Sequence, residues 1–266
     1  MINLNFGLWW SGHKISYLRY LTFKTLRYFH PDSNIELFVG TKFKKDGHSW
    51  GCEKQEFENP EEMGKDYMVE LGELGVEVRK VDWFSQYHPN FQSDIFRWWY
   101  LNSYGGFYLD TDQIILRSFD DLPLDNDLIF SAYEAKSCGL YAPVGVIGAS
   151  KDSEVVKFTK DNLLSFLDIN SYNSLGPFMF RQVITMDRKW NDKFFNAPSN
   201  VFYPIPDSYL IPEVYSGKFE IPSDSYSLHW FGGHPKSQEF NRYFTEEFAM
   251  ESNDTISKWL RGKEII

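Results

Sequence analysis

The sequence predicts an α/β domain, a mostly parallel central sheet flanked by helices, on three observations. Apolar segments with strand and helix patterning alternate along the first eighty residues. A glycine pair after a helix launches a short apolar strand that ends in two carboxylates, Asp110 and Asp112. The 266 residues contain no internal repeat, low-complexity tract or composition break. At roughly 100 to 200 residues per domain, they read as one domain over 1–266 with length enough for a full core.

Leu4 to Trp10 reads as the first strand. Ile15, Leu18, Leu21, Leu26 and Phe29 follow at near-helical spacing until His30-Pro31 stops the helix. Ile35 to Val39 is a second strand ended by Gly40, and 41–65, polar and without period, reads as a surface excursion. Asp66 to Leu74 is expected to be helical and Val76 to Val81 alternates as a third strand. Strand, helix, strand, helix, strand is the order of a parallel sheet and a common beginning for nucleotide-binding domains. Ser93 to Tyr104 is predicted as a helix with a Ser cap. Gly105-Gly106 ends it, because glycine accepts the positive φ that reverses the chain. Phe107 to Leu109 then delivers Asp110-Thr111-Asp112, and Gln113 to Leu116 continues extended. Leu128 to Ala132 and Val144 to Ala149 read as buried strands. Ser153 to Leu167 and Pro177 to Met186 read as helices, Tyr226 to Trp230 as a strand, and 236–266 as a mostly helical tail.

Composition narrows the function. Lys and Arg number 27 against 37 Asp and Glu, a net charge of −10, so the chain repels a nucleic-acid backbone. Cys52 and Cys138 lie far apart and suggest neither a disulfide framework nor a cysteine zinc site, which fits a reducing, cytoplasmic setting. Met1 to Gly12 lacks a basic n-region, and no run approaches the 18 or so apolar residues of a membrane span. Aromatics make up 18% of the chain. Most are expected in the core, but the load also supplies flat faces on which bases and sugar rings stack.

Asp110-x-Asp112 alone is weak, since about one such spacing arises by chance in a chain of this length, and Asp125-Asn126-Asp127 repeats it. Context separates the two. Carboxylates at the C-terminal end of a strand in an α/β sheet sit where ligands bind, whereas Asp125 and Asp127, beside Pro123, read as a solvated turn. Upstream, Asp94 and Arg97 at i, i+3 share one helix face, where Arg97 either holds a phosphate or sugar hydroxyl or simply pairs with Asp94.

Ser93-Asp94-x-x-Arg97 followed by Tyr104-Gly105-Gly106-x-Tyr108-Leu109-Asp110-x-Asp112 spans about twenty residues. Together these residues resemble the signature of DXD-type glycosyltransferases of the GT-A fold. The pattern is most similar to family 32, with its capsular polysaccharide and fungal mannosyltransferase members, and to the large clostridial glucosylating toxins. Trp9-Trp10-Ser11-Gly12 resembles the segment with which that family leaves its first strand, where an aromatic meets the nucleotide base. Neighbouring strand residues point to opposite faces, so Trp9 and Trp10 cannot both stack on a base, and one is expected in the core. Ala132-Tyr133-Glu134, Val146-Ile147-Gly148-Ala149 and Leu175-Gly176-Pro177 resemble further family segments. His229-Trp230-Phe231-Gly232-Gly233-His234 resembles the C-terminal His-x-x-Gly-Ser-Trp, with Gly233 in place of Ser and His234 in place of Trp.

The resemblance implies a retaining hexosyltransferase that uses a UDP- or GDP-sugar donor, a glycan or other hydroxyl acceptor, and Mn²⁺ or Mg²⁺. It implies Asp112 and His229 as metal ligands, with Asp110 on metal or ribose. Arg97 and Asp94 would orient the donor sugar, and Trp9, Trp10, Gly105, Gly106 and His234 would line the donor site. The chemistry suits these residue types: a cation held by carboxylates stabilises the charge on a departing diphosphate, and one imidazole tilts the choice toward Mn²⁺. Without the resemblance, His229 on a Leu-His-Trp strand reads as a satisfied core histidine. Glu134 and Asp152 are candidates for the acceptor side, and His13, His30, His48 and His88 read as surface or capping residues. Two other classes compete: a haloacid-dehalogenase-type phosphatase, which also places Asp-x-Asp after a strand, and a catalytically inactive sugar- or nucleotide-binding module.

Overall fold

The computed structural model describes residues 1–45, 56–57, 64–135, 139–186, 188–205 and 208–266; Cys52, Cys138 and His48 lie outside them. β1 (Phe6–Trp10) and β2 (Ile35–Gly40) are buried at every position, as strands covered on both faces must be. Between them runs α1 (Tyr17–Phe29), capped by the Ser16 side chain and closed at His30. α2 (Glu70–Glu73) is a single turn, shorter than the expected Asp66 to Leu74, because Asp66 Oδ1 accepts from the Ile15 and Met68 amides and holds its own segment as a turn. β3 (Glu77–Val81) follows.

α3 (Pro89–Tyr104) starts four residues before the predicted Ser93. Pro at the first helical position, after an extended His88, outranks Ser as a start signal here. Ser93 lies inside the helix, where its hydroxyl hydrogen-bonds the Tyr108 hydroxyl at 2.7 Å and accepts from Arg97. Gly105 (φ +67°) and Gly106 (φ +88°) turn the chain into β4 (Gly106–Leu109), so both adopt the left-handed backbone expected of them.

The remaining strands are β5 (Gln113–Ile115), β6 (Leu128–Ser131), β7 (Tyr133–Ala135), β8 (Gly139–Tyr141), β9 (Val146–Ala149), β10 (Phe194–Ala197) and β11 (Ser227–His229). The central sheet runs β10-β6-β9-β4-β1-β2-β3, all parallel except β9. Two small antiparallel ribbons, β5 with β11 and β7 with β8, sit beside it. β7, β8 and β10, at three or four residues each, were too short to raise a periodic signal in the sequence.

Strand pleating assigns the two core layers. Phe6, Leu8 and Trp10 join the α1 side, while Trp9 joins Phe38, Phe96 and Tyr108 under α3. α4 (Glu154–Asn162) and α5 (Met179–Met186) extend the second layer. α6 (Ser199–Phe202), α7 (Ile211–Ser216), α8 (Pro235–Tyr243), α9 (Glu246–Glu251) and α10 (Thr255–Gly262) complete the first, where Ile2 and Ile265 meet in one apolar cluster. The tail is thus three short helices from Pro235, broken at the Thr245 and Asp254 caps. The 41–65 segment is not wholly superficial, since Glu56 and Phe57 are buried. No helix among the described residues is long and apolar enough to cross a membrane.

His30 caps α1, as expected of a capping residue, but it is 3% exposed, and its Nε2 accepts from the Phe119 amide at 3.2 Å. Burial pushes its pKa down to about 4. Its contribution to stability is complete above the unfolded value of 6.5 and drains away as pH falls from there toward 4. By pH 5 the parent should lose about 2 kcal/mol on this account, and His30→Asn should be spared that loss. Urea unfolding of both proteins at pH 7.5 and pH 5 measures it, and equal acid sensitivity would overturn the assignment.

Candidate functional site

β4 carries Asp110 to the C-terminal end of the parallel strands, where a cleft of about 630 Å³ opens. Backbone pairing fixes the turn. The Asp110 amide donates to the Gly145 carbonyl at 2.8 Å, and the Asp112 carbonyl accepts from the Trp230 amide at 3.0 Å. β11 lies antiparallel to β5 with His229 opposite Gln113, which returns His229 to Asp112. One ligand atom from each of Asp110, Asp112 and His229 lies within 4.8 Å of the others.

His229 Nε2 is 2.9 Å from Asp112 Oδ2, and the Gly232 amide donates to the same oxygen at 2.7 Å. Burial alone would raise the Asp112 carboxyl, but His229, the Arg19 charge and the Gly232 N–H outweigh it and hold the pKa down to about 2. The 2.9 Å separation matches that of two adjacent ligands on one octahedral ion at about 2.1 Å, so the oxygen-rich set with one imidazole fits a hard divalent cation. Asp110, Asp112 and His229 could hold such a cation here.

Arg97 dominates the other wall. Its Nη2 pairs with Asp94 Oδ1 at 2.8 Å and donates to Ser93 Oγ at 3.2 Å, and its Nη1 donates to the Val144 carbonyl and lies 3.6 Å from Asp110 Oδ1. The guanidinium stands 4.5 Å from the Tyr108 ring, whose hydroxyl donates to Asp110 Oδ1 at 2.6 Å. Burial works against the Arg97 charge, yet Tyr108, Asp110 and Asp94 raise its pKa further. Burial pushes the Asp94 carboxyl up against the pull of Arg97.

Trp9, Trp10, Asp94, Arg97, Asp110, Asp112, His229 and His234 all line the cleft. Gly105 and Gly106 do not. They sit at the opposite end of β4, packed on the Lys151 and Asn5 backbones, where they shape a turn. Glu134 and Asp152 are not among the cleft's lining residues either. Asp127 accepts from the Ser150 and Ser153 hydroxyls, a turn-closing role away from the cleft. His234 caps α8 through Nδ1, which accepts from the Lys236 amide at 3.2 Å, so its Nε2 carries the proton when the ring is neutral.

Sequence reasoning missed Arg19, Glu56 and Gln238, which stand behind the Asp-x-Asp turn. The one available signal was an arginine beside the apolar stripe of α1, since a charge on a buried face requires a partner.

A mostly parallel sheet with paired carboxylates at a strand end defines a ligand-binding cleft at the carboxyl ends of the strands. Residues 19–129 match the family described as glycosyltransferase sugar-binding region containing DXD motif. That match covers less than half of the chain, and the fold is that of GT-A glycosyltransferases. The PaToxG glycosyltransferase is similar in structure at 20% identity and a TM-score of 0.50, over 71% of this chain and 70% of that one. GlyE of Streptococcus pneumoniae TIGR4 aligns at 15% identity and 0.49, over 99% of this chain and 64% of its own length. The galactosyltransferase LgtC, solved with donor and acceptor sugar analogs, aligns at 15% and 0.46, over 91% and 98%. No curated protein matches in sequence.

A methyl placed on Gly145 would stand 2.6 Å from Asp110 Oδ2. Gly145→Ala should therefore rotate that carboxylate and lower turnover of a nucleotide sugar by about 100-fold, with thermal unfolding near the parent's. Parent-like turnover would show that the position of Asp110 is not critical.

Proposed function

We propose that this chain transfers a hexose from a UDP- or GDP-sugar to a hydroxyl of a glycan or other acceptor, with Mn²⁺ or Mg²⁺ held by Asp110, Asp112 and His229. The observation that carries this reading is the convergence of those three ligand atoms within 4.8 Å of one another in the cleft at the strand ends. When bound there, the cation would offset the negative charge that builds on the departing diphosphate. Arg97, fixed by Asp94 and the Val144 carbonyl, presents a guanidinium to donor oxygens without having to reorganise. His234 offers a neutral N–H from the head of α8, and Trp9 and Trp10 form the wall for the base.

Retention of anomeric configuration is supported by the lining itself. Among the described lining residues the only carboxylates are Asp94, Asp110 and Asp112. Asp94 is tied to Arg97 and the other two to the metal cluster, which leaves no carboxylate to activate an acceptor from the opposite face. We further propose that the chain works as one domain, supported by the shared cluster of Ile2 and Ile265, in a cytoplasmic setting, supported by its cysteine usage.

Asp112→Asn should keep the fold and lose metal-dependent donor binding, because the amide lacks the charge that holds the cation. Thermal shifts with UDP or GDP plus Mn²⁺ should vanish in Asp112→Asn and persist in Asp125→Asn. Equal shifts in Asp112→Asn and parent would remove the metal assignment. Arg97→Lys should stay inactive, since an ammonium cannot reproduce the planar fork, and full turnover would reduce Arg97 to a structural partner of Asp94.

A further inference from the structure

We propose that the buried Arg19–Glu56 pair is a positioning device that sets the Asp-x-Asp turn for metal binding, an inference that rests on the metal site proposed above. Both side chains are 2% exposed. Removing two charges from water costs several kcal/mol each, and apolar replacements of such pairs are often neutral or stabilising, so stability alone gives the pair no purpose. Its contacts supply one. Arg19 Nε and Nη2 engage the Glu56 carboxylate as a fork, at 2.7 Å each. The remaining Nη1 donates to Thr111 Oγ1 at 2.9 Å, and Thr111 is the central residue of the Asp-x-Asp turn. The Thr111 carbonyl accepts from Thr22 Oγ1 at 2.8 Å, so α1 grips that residue by side chain and by backbone.

Glu56 extends the linkage. Its Oε1 accepts from Gln238 Nε2, which also donates to the Gly232 carbonyl, and the Gly232 amide donates to Asp112 Oδ2. The guanidinium lies 4.1 Å from the Trp10 ring and 5.2 Å from that of Trp230. One buried cation thus joins four separate segments: α1, the Glu56 segment, the Asp-x-Asp turn and the loop between β11 and α8. Arg19 and Glu56 act through Thr111 and Gly232 on Asp112, and the pair is a support for the ligands rather than a ligand.

Thr111→Val tests this with a change of one hydroxyl. Mn²⁺ affinity is read directly by electron paramagnetic resonance of the free ion, with no donor and no turnover. Supports behind metal ligands typically contribute 10- to 100-fold in affinity, so Thr111→Val should weaken Mn²⁺ binding by about that factor, and Thr111→Ser should restore it. Ser131→Ala removes a buried hydroxyl elsewhere, one that donates to the Ala197 carbonyl at 3.1 Å, and should leave Mn²⁺ affinity at the parent value even where unfolding temperature falls. If Thr111→Val binds Mn²⁺ like the parent while Asp112→Asn does not, the positioning role is overturned and the metal site stands. Equal weakening in Ser131→Ala would assign the effect to general destabilisation and also overturn it. A parent that binds no Mn²⁺ would bring down both the metal site and its support.

Discussion

Compensation of buried negative charge governs the cleft. Asp94, Asp110 and Asp112 gather at one end of an apolar sheet, in a protein that already carries ten excess negative charges. Among the described lining residues, Arg19 and Arg97 are the only lysines or arginines. Each has a distinct territory. Arg97 serves Asp94 and Asp110, and Arg19 lends its field to Asp112 while it holds the turn between the two. Both guanidiniums rest on aromatic faces, Tyr108 for one and Trp10 for the other, which keeps the cations dry and oriented without further carboxylates. The composition rich in aromatics is therefore part of the electrostatics, not only of the core.

What the sequence made legible follows from how local each arrangement is. Asp94 and Arg97 share a helix face three residues apart, and Asp110 and Asp112 follow a strand and a glycine turn, so local pattern marked each pair and the family resemblance joined them in one site. His229 lies far along the chain from Asp112, and only the family resemblance brought it into view; the β5–β11 ribbon supplies the physical link. Arg19 and Glu56 escaped notice because their pairing joins a helix to a segment with no periodicity, and neither residue belongs to a motif. The glycine pair shows the opposite error. Its backbone conformation was read correctly from residue type, but its place at the far end of β4 separates it from the cleft. The start of α3 was misplaced because His88-Pro89 competed with a good capping residue inside the same helix.

The Trp9-Trp10 pair shows how a strand's pleat produces a rigid wall. The expectation that one of them belongs to the core understated the arrangement, since both are buried in opposite layers and both still reach the cleft. Trp9 packs 5.0 Å from Phe96, and its indole N–H donates to Ser11 Oγ at 2.8 Å. Ser11 in turn donates to Gln92 Oε1 at 2.7 Å, and Gln92 Nε2 donates to the Lys42 and Phe84 carbonyls, so α3 and the loops beyond β2 and β3 all brace that ring. Trp10 is braced from the other side by Arg19 and by its own N–H to the Lys14 carbonyl at 2.9 Å.

A surface fixed in both directions spends its conformational entropy during folding and not on ligand binding. The same economy applies to the Asp-x-Asp turn, which α1 grips before any ligand arrives. α1 is thus the element common to both halves of the cleft: its Arg19 touches the aromatic wall through Trp10 and the carboxylate floor through Thr111. A shift of this helix would move the wall and the floor together, preserving their relative geometry where independent supports would let them drift apart.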